Sequence, residues 1–311
     1  YEHRVRVLSG KEVTMLENRL HRIKSERTKH SVLVLGAAVI DIIIELDQLP
    51  QSGEDVTAEH KGTIVGGCAY NVANILRQLN IPHDLLVPVG KGVYGSQIKK
   101  RLVADGYKLL VEDSSDDNGW NMSAVERDGE RTFITVPGIE TRWKKAWFQT
   151  VNLPAYDYLY VSGYELEGDS GEVILDALGA RNDKCQLIFD PGPRIPFIRQ
   201  ATLRKVLGMG TILHLNRMEL QLLTGESELM TAAKRVFEMT HKPVVVTLGA
   251  DGSLLYTADG GEVLPGRTAT VVDTIGAGDA HTGAFLAGLA AGLSPREACL
   301  AGNDVAAEVV Q

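Results

Sequence analysis

Cysteine is scarce in this 311-residue chain: three in all, Cys68, Cys185 and Cys299, far apart and never as C-x-x-C. That spacing excludes a disulfide framework and a thiolate zinc site, and reads as reduced thiols in a cytoplasmic protein. Basic residues are outnumbered, 32 Lys and Arg against 40 Asp and Glu. A net charge of -8 argues against nucleic acid or an anionic membrane as the main partner, because both demand clustered cations. Long apolar runs are missing too. The longest, "VLVLGAAVIDIII", is too short to span a bilayer and contains Asp41, and the first thirty residues hold no apolar core of a signal peptide. No membrane span and no secretion is the expectation. Finally, G-x-x-x-x-G-K-[ST] is absent, so a P-loop cannot supply any phosphate site.

What the chain does have is enough apolar sequence, 44%, for one large core. Residues 11–29 alternate charge and leucine at helical spacing and predict an exposed helix, so residues 1–30 are expected to form a helical extension ahead of a domain over 31–311. "SVLVLGAAVIDIII" has the β-branched density of a buried strand. "MSAVERDGERTFITV" alternates around Asp128-Gly129 and predicts a hairpin on a small sheet outside the main core. Thereafter "YDYLYVSG", "CQLIFD", "TILHLN" and "PVVVTLG" alternate with helical segments, which predicts an α/β fold with a mostly parallel central sheet covered by helices on both faces.

Two glycine clusters compete for a nucleotide. "GKGVYG" places Gly90, Gly92 and Gly95 in the G-x-G-x-x-G pattern, with Glu112 and Asp113 downstream at dinucleotide-fold spacing. Read functionally, it makes the chain an NAD(P)-dependent oxidoreductase; read plainly, it is a βα turn. The plain reading gains because a strand and a Gly-Gly-helix element precede it, whereas the fingerprint normally sits on the first strand of its unit. "DTIGAGDAHTGAFLAGLAAGL" is more specific. Gly276, Ala277 and Gly278 let backbone amides converge, the following helix adds its positive end, and together they make an anion hole. Asp279 is then either an ordinary N-cap or a general base that accepts a hydroxyl proton during phosphoryl transfer.

With these residues on view, "DTIGAGDAHTGAF" and "GGCAYNVA" closely resemble the C-terminal and N-terminal signatures of the ribokinase-like, or PfkB, carbohydrate kinases, in the expected order and covering residues 31–311. The resemblance implies a ribokinase-like fold, a sugar or nucleoside kinase activity, ATP and Mg2+ as cofactors, and K+ as an activator in some members. By the same resemblance Asp279 is the base, and Gly276, Ala277 and Gly278 are the anion hole. Asp41, Gly66, Gly67 and Asn71 become substrate contacts. Asn216 and Glu219 in "LNRME" are candidates for the nucleotide phosphates and, at Glu219 through water, for magnesium; as residues alone they equally make a helix capping box. Thr247, Gly249, Gly252 and Thr274 are placed on the nucleotide, and Asp273 at a monovalent cation.

Segments 42–65 and 118–137 correspond in the family to a β-sheet lid that excludes water and often pairs subunits, so a homodimer is expected. Cys68 and Ala69 replace the Lys-Gly that ribokinase usually carries, which weakens ribose as the substrate. Arg194 in "FDPGPR" is either a phosphate or carboxylate contact or a plain ion pair. Asn118, Trp120 and Tyr164 are candidates for pocket side chains. The chain ends earlier than the family pattern, leaving Asn303 as the adenine-side candidate. The competing class is a non-catalytic sugar or nucleoside sensor of the same fold.

Overall fold

The computed structural model describes residues 19–25, 28, 30–127, 130–271 and 274–311. The first buried strand, β1 (Val32–Leu35), ends at Gly36, whose φ of 153° suits glycine and whose added Cβ would lie 2.9 Å from that of Ala69. The chain leaves the main sheet there and starts β2 (Val39–Leu46) in a second sheet. The apolar run expected as one strand is therefore two. β3 (Glu59–Gly66), helix α1 (Cys68–Gln78), β4 (His83–Leu86), β5 (Pro88–Val89), α2 (Val93–Ala104) and β6 (Val111–Glu112) follow. The hairpin strands are β7 (Trp120–Glu126) and β8 (Arg131–Val136); the turn residues Asp128 and Gly129 lie outside the described residues.

From there strands and helices alternate: β9 (Tyr158–Ser162), α3 (Gly168–Leu178), β10 (Gln186–Asp190), α4 (Gln200–Leu207), β11 (Thr211–Asn216), α5 (Arg217–Thr224), α6 (Leu229–Thr240) and β12 (Val244–Thr247). An antiparallel pair, β13 (Ser253–Thr257) and β14 (Gly260–Leu264), precedes α7 (Ala277–Ala290) and α8 (Pro295–Val309). The large sheet runs β14-β13-β12-β11-β10-β9-β1-β4, parallel from β12 to β4. The small sheet runs β3-β2-β7-β8.

Both faces of the large sheet are covered, as its strands require. Val32 and Val34 join one apolar cluster, with α1, α7 and α8, while Leu33 and Leu35 join the other, with α3 and α6. That alternation is the pleat of a strand buried on two sides. Helix α7 is buried all round from Ala280 through Ala290, apolar but for His281 and Thr282, and its small residues set how closely its neighbours approach. A Cβ on Gly283 would fall 2.7 Å from Cβ of Ile75 on α1, and one on Gly288 would fall 2.8 Å from Cβ of Ala298 on α8.

Residues 19–25 are helical, with His21, Arg22, Lys24 and Ser25 exposed as expected, but the segment is anchored on the domain. Ile23 is buried in the core that holds α8, and Arg19 and Arg22 reach Asp304 at 2.9 Å and Glu297 at 2.8 Å. The remainder of the expected N-terminal helix lies largely outside the described residues.

Because α1 and α7 are in glycine contact, Gly283→Ala must push them apart. It is expected to lower stability by about 1–3 kcal/mol, the usual cost of overpacking, measured as a lower denaturant midpoint with an unchanged slope.

Candidate active site

Helix α7 starts at Gly276, which takes the left-handed conformation (φ 75°) that glycine tolerates, and no side chain caps it. Asp279 is therefore not the N-cap. It sits in the first turn, beside backbone N–H groups at the helix's positive end, and an added Cβ at Gly276 or Gly278 would meet nothing within 4 Å. Those glycines leave open space in front of the amides. The Asp279 carboxylate accepts from Asn71 Nδ2 at 2.8 Å and from the Cys68 thiol, so α1 holds the carboxylate that α7 presents.

On the other side of Asn71 lies the small sheet. Gly67 caps α1 with φ 98°, and a Cβ there would lie 2.7 Å from the Ala37 carbonyl oxygen. Gly66 is more constrained still: its added Cβ would stand 1.9 Å from Asp41 Oδ2, so only glycine leaves room for that carboxylate. Asp41 on β2 also accepts from Asn121 Nδ2 at 2.8 Å, across a parallel register that pairs the two residues. Asn121 was not singled out in the sequence, because its partnership depends on β2 and β7 meeting.

Beyond Asp279, a cleft of about 200 Å³ is lined by Gly276, Gly278, Asp190, Asn216, Glu219 and Thr247, together with Tyr164 and Cys68. Asn216 and Glu219 do form the capping box of α5: Glu219 N donates to Asn216 Oδ1 at 2.9 Å, and Asn216 N donates to Glu219 Oε2 at 2.8 Å. They also line the cleft, so the two sequence readings coexist. Gly249 and Gly252 shape the turn after β12, where a Cβ on Gly252 would meet the Leu264 carbonyl oxygen at 2.2 Å; Thr274 accepts from the amide of Ala277. Asn303 is buried, engaged with His281 and the carbonyls of Leu264 and Pro265. Asp273 lies outside the described residues.

Three carboxyl groups share this cleft, and loss of hydration raises all of them. Asp279 is pushed up to about 6 chiefly by burial, with Asp190 and Asp41 adding to the rise against the Asn71 bond. Burial likewise lifts Asp190 to about 6, and Glu219 to about 7 with a contribution from Asp190. A base raised in this way is stronger than an ordinary carboxylate near 4. Asp190 was missed in the sequence, although it ends a parallel strand, the place where open α/β sheets bind ligands.

The rival glycine cluster does other work. At the start of α2, Asp117 accepts from the amides of Tyr94 at 3.1 Å and Gly95 at 2.6 Å, so a side chain already fills the anion position a dinucleotide would need. Gly90, Gly92 and Gly95 are small because the 116–118 loop and their own turn lie against them. Glu112 pairs with Lys99 and Asp113 with Lys144. Arg194 is bound by Glu167 through two nitrogens and lies over the Tyr164 and Phe197 rings, which is the ion-pair reading. Asn118 is a structural residue, joining the Gly90 amide to the Ala38 and Pro88 carbonyls beneath the small sheet, and Trp120 packs toward Tyr94.

A large parallel sheet, a small sheet beside it, and a carboxylate at an uncapped helix start are the marks of a carbohydrate kinase of ribokinase-like fold. The pfkB family carbohydrate kinase model matches residues 29–311, and the chain belongs to that family. It is 38% identical to the uncharacterized sugar kinase YegV of Escherichia coli (strain K12), over 94% of this chain and 92% of that one. Ribokinase from Thermotoga maritima superposes with a TM-score of 0.81 at 25% identity, covering 90% of this chain and 93% of that one. Arabidopsis thaliana ribokinase, solved with ribose and ATP, gives 0.75 at 25% identity over 91% and 93%. The protein is a sugar or nucleoside kinase.

The contact at Gly66 makes a sharp test. Gly66→Ala displaces the Asp41 carboxylate; on the expectation that Asp41 contacts the substrate, it should raise the KM for the sugar roughly tenfold or more, the scale of losing one charged hydrogen bond, while the KM for ATP stays within twofold.

Proposed function

We propose that this kinase transfers the γ-phosphoryl group of ATP to a hydroxymethyl group of an unphosphorylated sugar, sugar acid or nucleoside, with Asp279 as general base. The observation that carries the proposal is the position of Asp279. Its raised carboxylate lies between the helix-start amides of α7 and the Asn71 amide, with Asp41 near enough to raise it further.

In this reading Asp41, Asn71 and the close backbone of Gly66 and Gly67 hold the substrate diol, and the lid formed by β2, β3, β7 and β8 excludes water. Asp279 orients the attacking hydroxyl and takes its proton. The amides at Gly276 and Gly278 receive the charge of the transferring phosphoryl group, and that of Ala277 joins them only by leaving the Thr274 carbonyl. Asn216, Thr247, Gly249, Gly252 and Thr274 form the nucleotide side, with Asn303 behind it rather than on it. The donor set fits magnesium, because Glu219 offers a hard carboxylate oxygen to the cleft. No cluster of three ligating side chains able to hold a metal occurs among the described residues, so the ion is expected to arrive with the nucleotide and meet Glu219 through water. Bound there, magnesium would neutralise phosphate charge. Asp273 remains the candidate for potassium.

Exposed Ile64, Phe133, Ile134 and Val136 on the lid strands support a homodimer joined through the lid. Sedimentation velocity is expected to give a dimer that Phe133→Glu with Ile134→Lys converts to monomer. No helix among the described residues is long and apolar enough to cross a membrane, in keeping with a cytoplasmic enzyme.

ADP release from ATP across a panel of sugars, sugar acids and nucleosides tests the reaction. Asp279→Asn is expected to cut turnover by about a hundredfold or more, the usual range for a lost general base. Since the base must be ionised, kcat/KM should fall as pH drops below about 6, the raised value, and not near 4. Turnover of the variant within tenfold of the unmodified protein would remove Asp279 from that role.

A further inference from the structure

Where the lid's hairpin joins the body of the large sheet, a buried carboxylate sits between its two strands. β7 leaves the body after Gly119 and β8 returns to it at Gly138. The ladder between these strands ends at Trp120 and Val136, and the residue next in line on the β8 side, Pro137, has no N–H to extend it. Glu140 takes over there. Its Oε2 accepts from the Gly119 amide at 2.9 Å and its Oε1 from the Gly138 amide at 2.7 Å, so one side chain spans both strands at the lid's root. The two glycines are pressed together around it: a Cβ on Gly119 would stand 2.3 Å from Glu140 Oε1, and one on Gly138 would stand 2.1 Å from the Gly119 nitrogen.

Glu140 itself belongs to the body. It lies in the single turn Ile139–Thr141, where Ile139 is buried in the same core cluster as Leu33 and Leu35 of β1. On its other side Thr141 is bound to α3 through Ser170, whose Oγ donates to the Thr141 carbonyl at 2.7 Å and accepts from the Trp143 amide at 3.0 Å. Only 5% of Glu140 is exposed, and a carboxylate so deeply buried is costly unless its oxygens are bonded. Here each oxygen is bonded to the lid's root. Two routes lead from there to the sugar side. Gly119 stands two residues before Asn121, which donates to Asp41, and the Gly119 carbonyl accepts at 3.2 Å from the amide of Ile40, the residue next to Asp41.

We infer that Glu140 is a positioning residue for the sugar half of the site: fixed in the body, it holds Gly119 and Gly138 and so sets where Asp41 and Asn121 stand. The consequence for catalysis rests on reading the small sheet as a lid over the sugar in a phosphoryl-transfer site. Glu140→Gln keeps the shape of the side chain and removes one acceptor, because its NH2 must then face an amide N–H. Donor against donor pushes one strand off the root. Asp41 leaves its place, and the loosened lid admits water, which competes with the sugar hydroxyl for the phosphoryl group.

Amide hydrogen exchange reads the root whether or not a substrate is turned over. In the unmodified protein the Gly119 and Gly138 amides are expected to be protected like those of buried β9, and not like those of exposed β8. Root amides as fast as those of β8 would overturn the inference, even if no variant folds. Glu140→Gln should speed exchange at Gly119, Asn121 and Gly138 roughly tenfold or more, as loss of a charged hydrogen bond would, and leave β9 to β12 unchanged. Acceleration spread evenly over the protein would instead make Glu140 a residue of general stability and refute its positioning role. With a sugar that the enzyme phosphorylates, the variant should raise the KM for that sugar roughly tenfold, keep the KM for ATP within about twofold, and release more inorganic phosphate per sugar phosphorylated. In an Asp41→Ala background the same substitution should add no more than about twofold to the sugar KM, since both changes act on one contact; effects that multiply would rule out the route through Asp41. Failure of the unmodified protein to phosphorylate any sugar or nucleoside would sink the kinase reading and leave the exchange result standing.

Discussion

The hydrogen bond from Asn71 Nδ2 to Asp279, 2.8 Å long, joins the two halves of the candidate active site. Asn71 sits one turn into a helix that begins at the double glycine; Asp279 sits one turn into a helix that begins at the Gly-Ala-Gly turn. Neither side chain would be in place if those two helices stood an ångström further apart. Gly283, pressed against Ile75, therefore serves the Asn71–Asp279 contact as well as the packing. The same closeness desolvates Asp279 and lets it keep a proton more readily than an exposed aspartate would.

Charge is the second constraint. Asp279, Asp190 and Glu219 crowd one cleft, and burial raises the proton affinity of each. The fold manages each differently. Glu219 accepts from Asn216 on both oxygens, each of which keeps a further lone pair, and Asp279 is restrained by an amide and a thiol. Asp190 is tied to a threonine backed by two neutral imidazoles. Nothing in the periodicity of "TILHLN" or "DAHTGAF" announces that His214 and His281 touch, since they lie 67 residues apart.

Much of the site was legible because glycine is so restrictive. Gly66, Gly67 and Gly276 are where they are for reasons of clash or backbone conformation, and those reasons leave the same spacing in any chain that builds this pocket. The parallel strands were legible from their apolar runs. The break at Gly36 was not, because "VLVLGAAVIDIII" is equally apolar on both sides of it and only the change of sheet gives it away. "GKGVYG" misled for a related reason. Its glycines are also required by close approach, but what approaches is the chain's own 116–118 loop, with Asp117 in the place of a phosphate. Asn121 carries no local signal, since its meaning comes from a partner supplied by the topology, and Asp190 carries only its place at the end of a strand.

The lid is assembled from two distant stretches of chain, with Asp41 and Asn121 paired 80 positions apart across parallel β2 and β7. Such a pairing closes a long loop, a cost repaid only by the contacts around it. The small sheet that results is the more exposed of the two. Resting on few buried contacts of its own, with most of β3 and β8 exposed, it is also the part whose local opening costs least. Ease of opening is thus concentrated in one sheet, and on the proposed reading that sheet gives a finished product its way out.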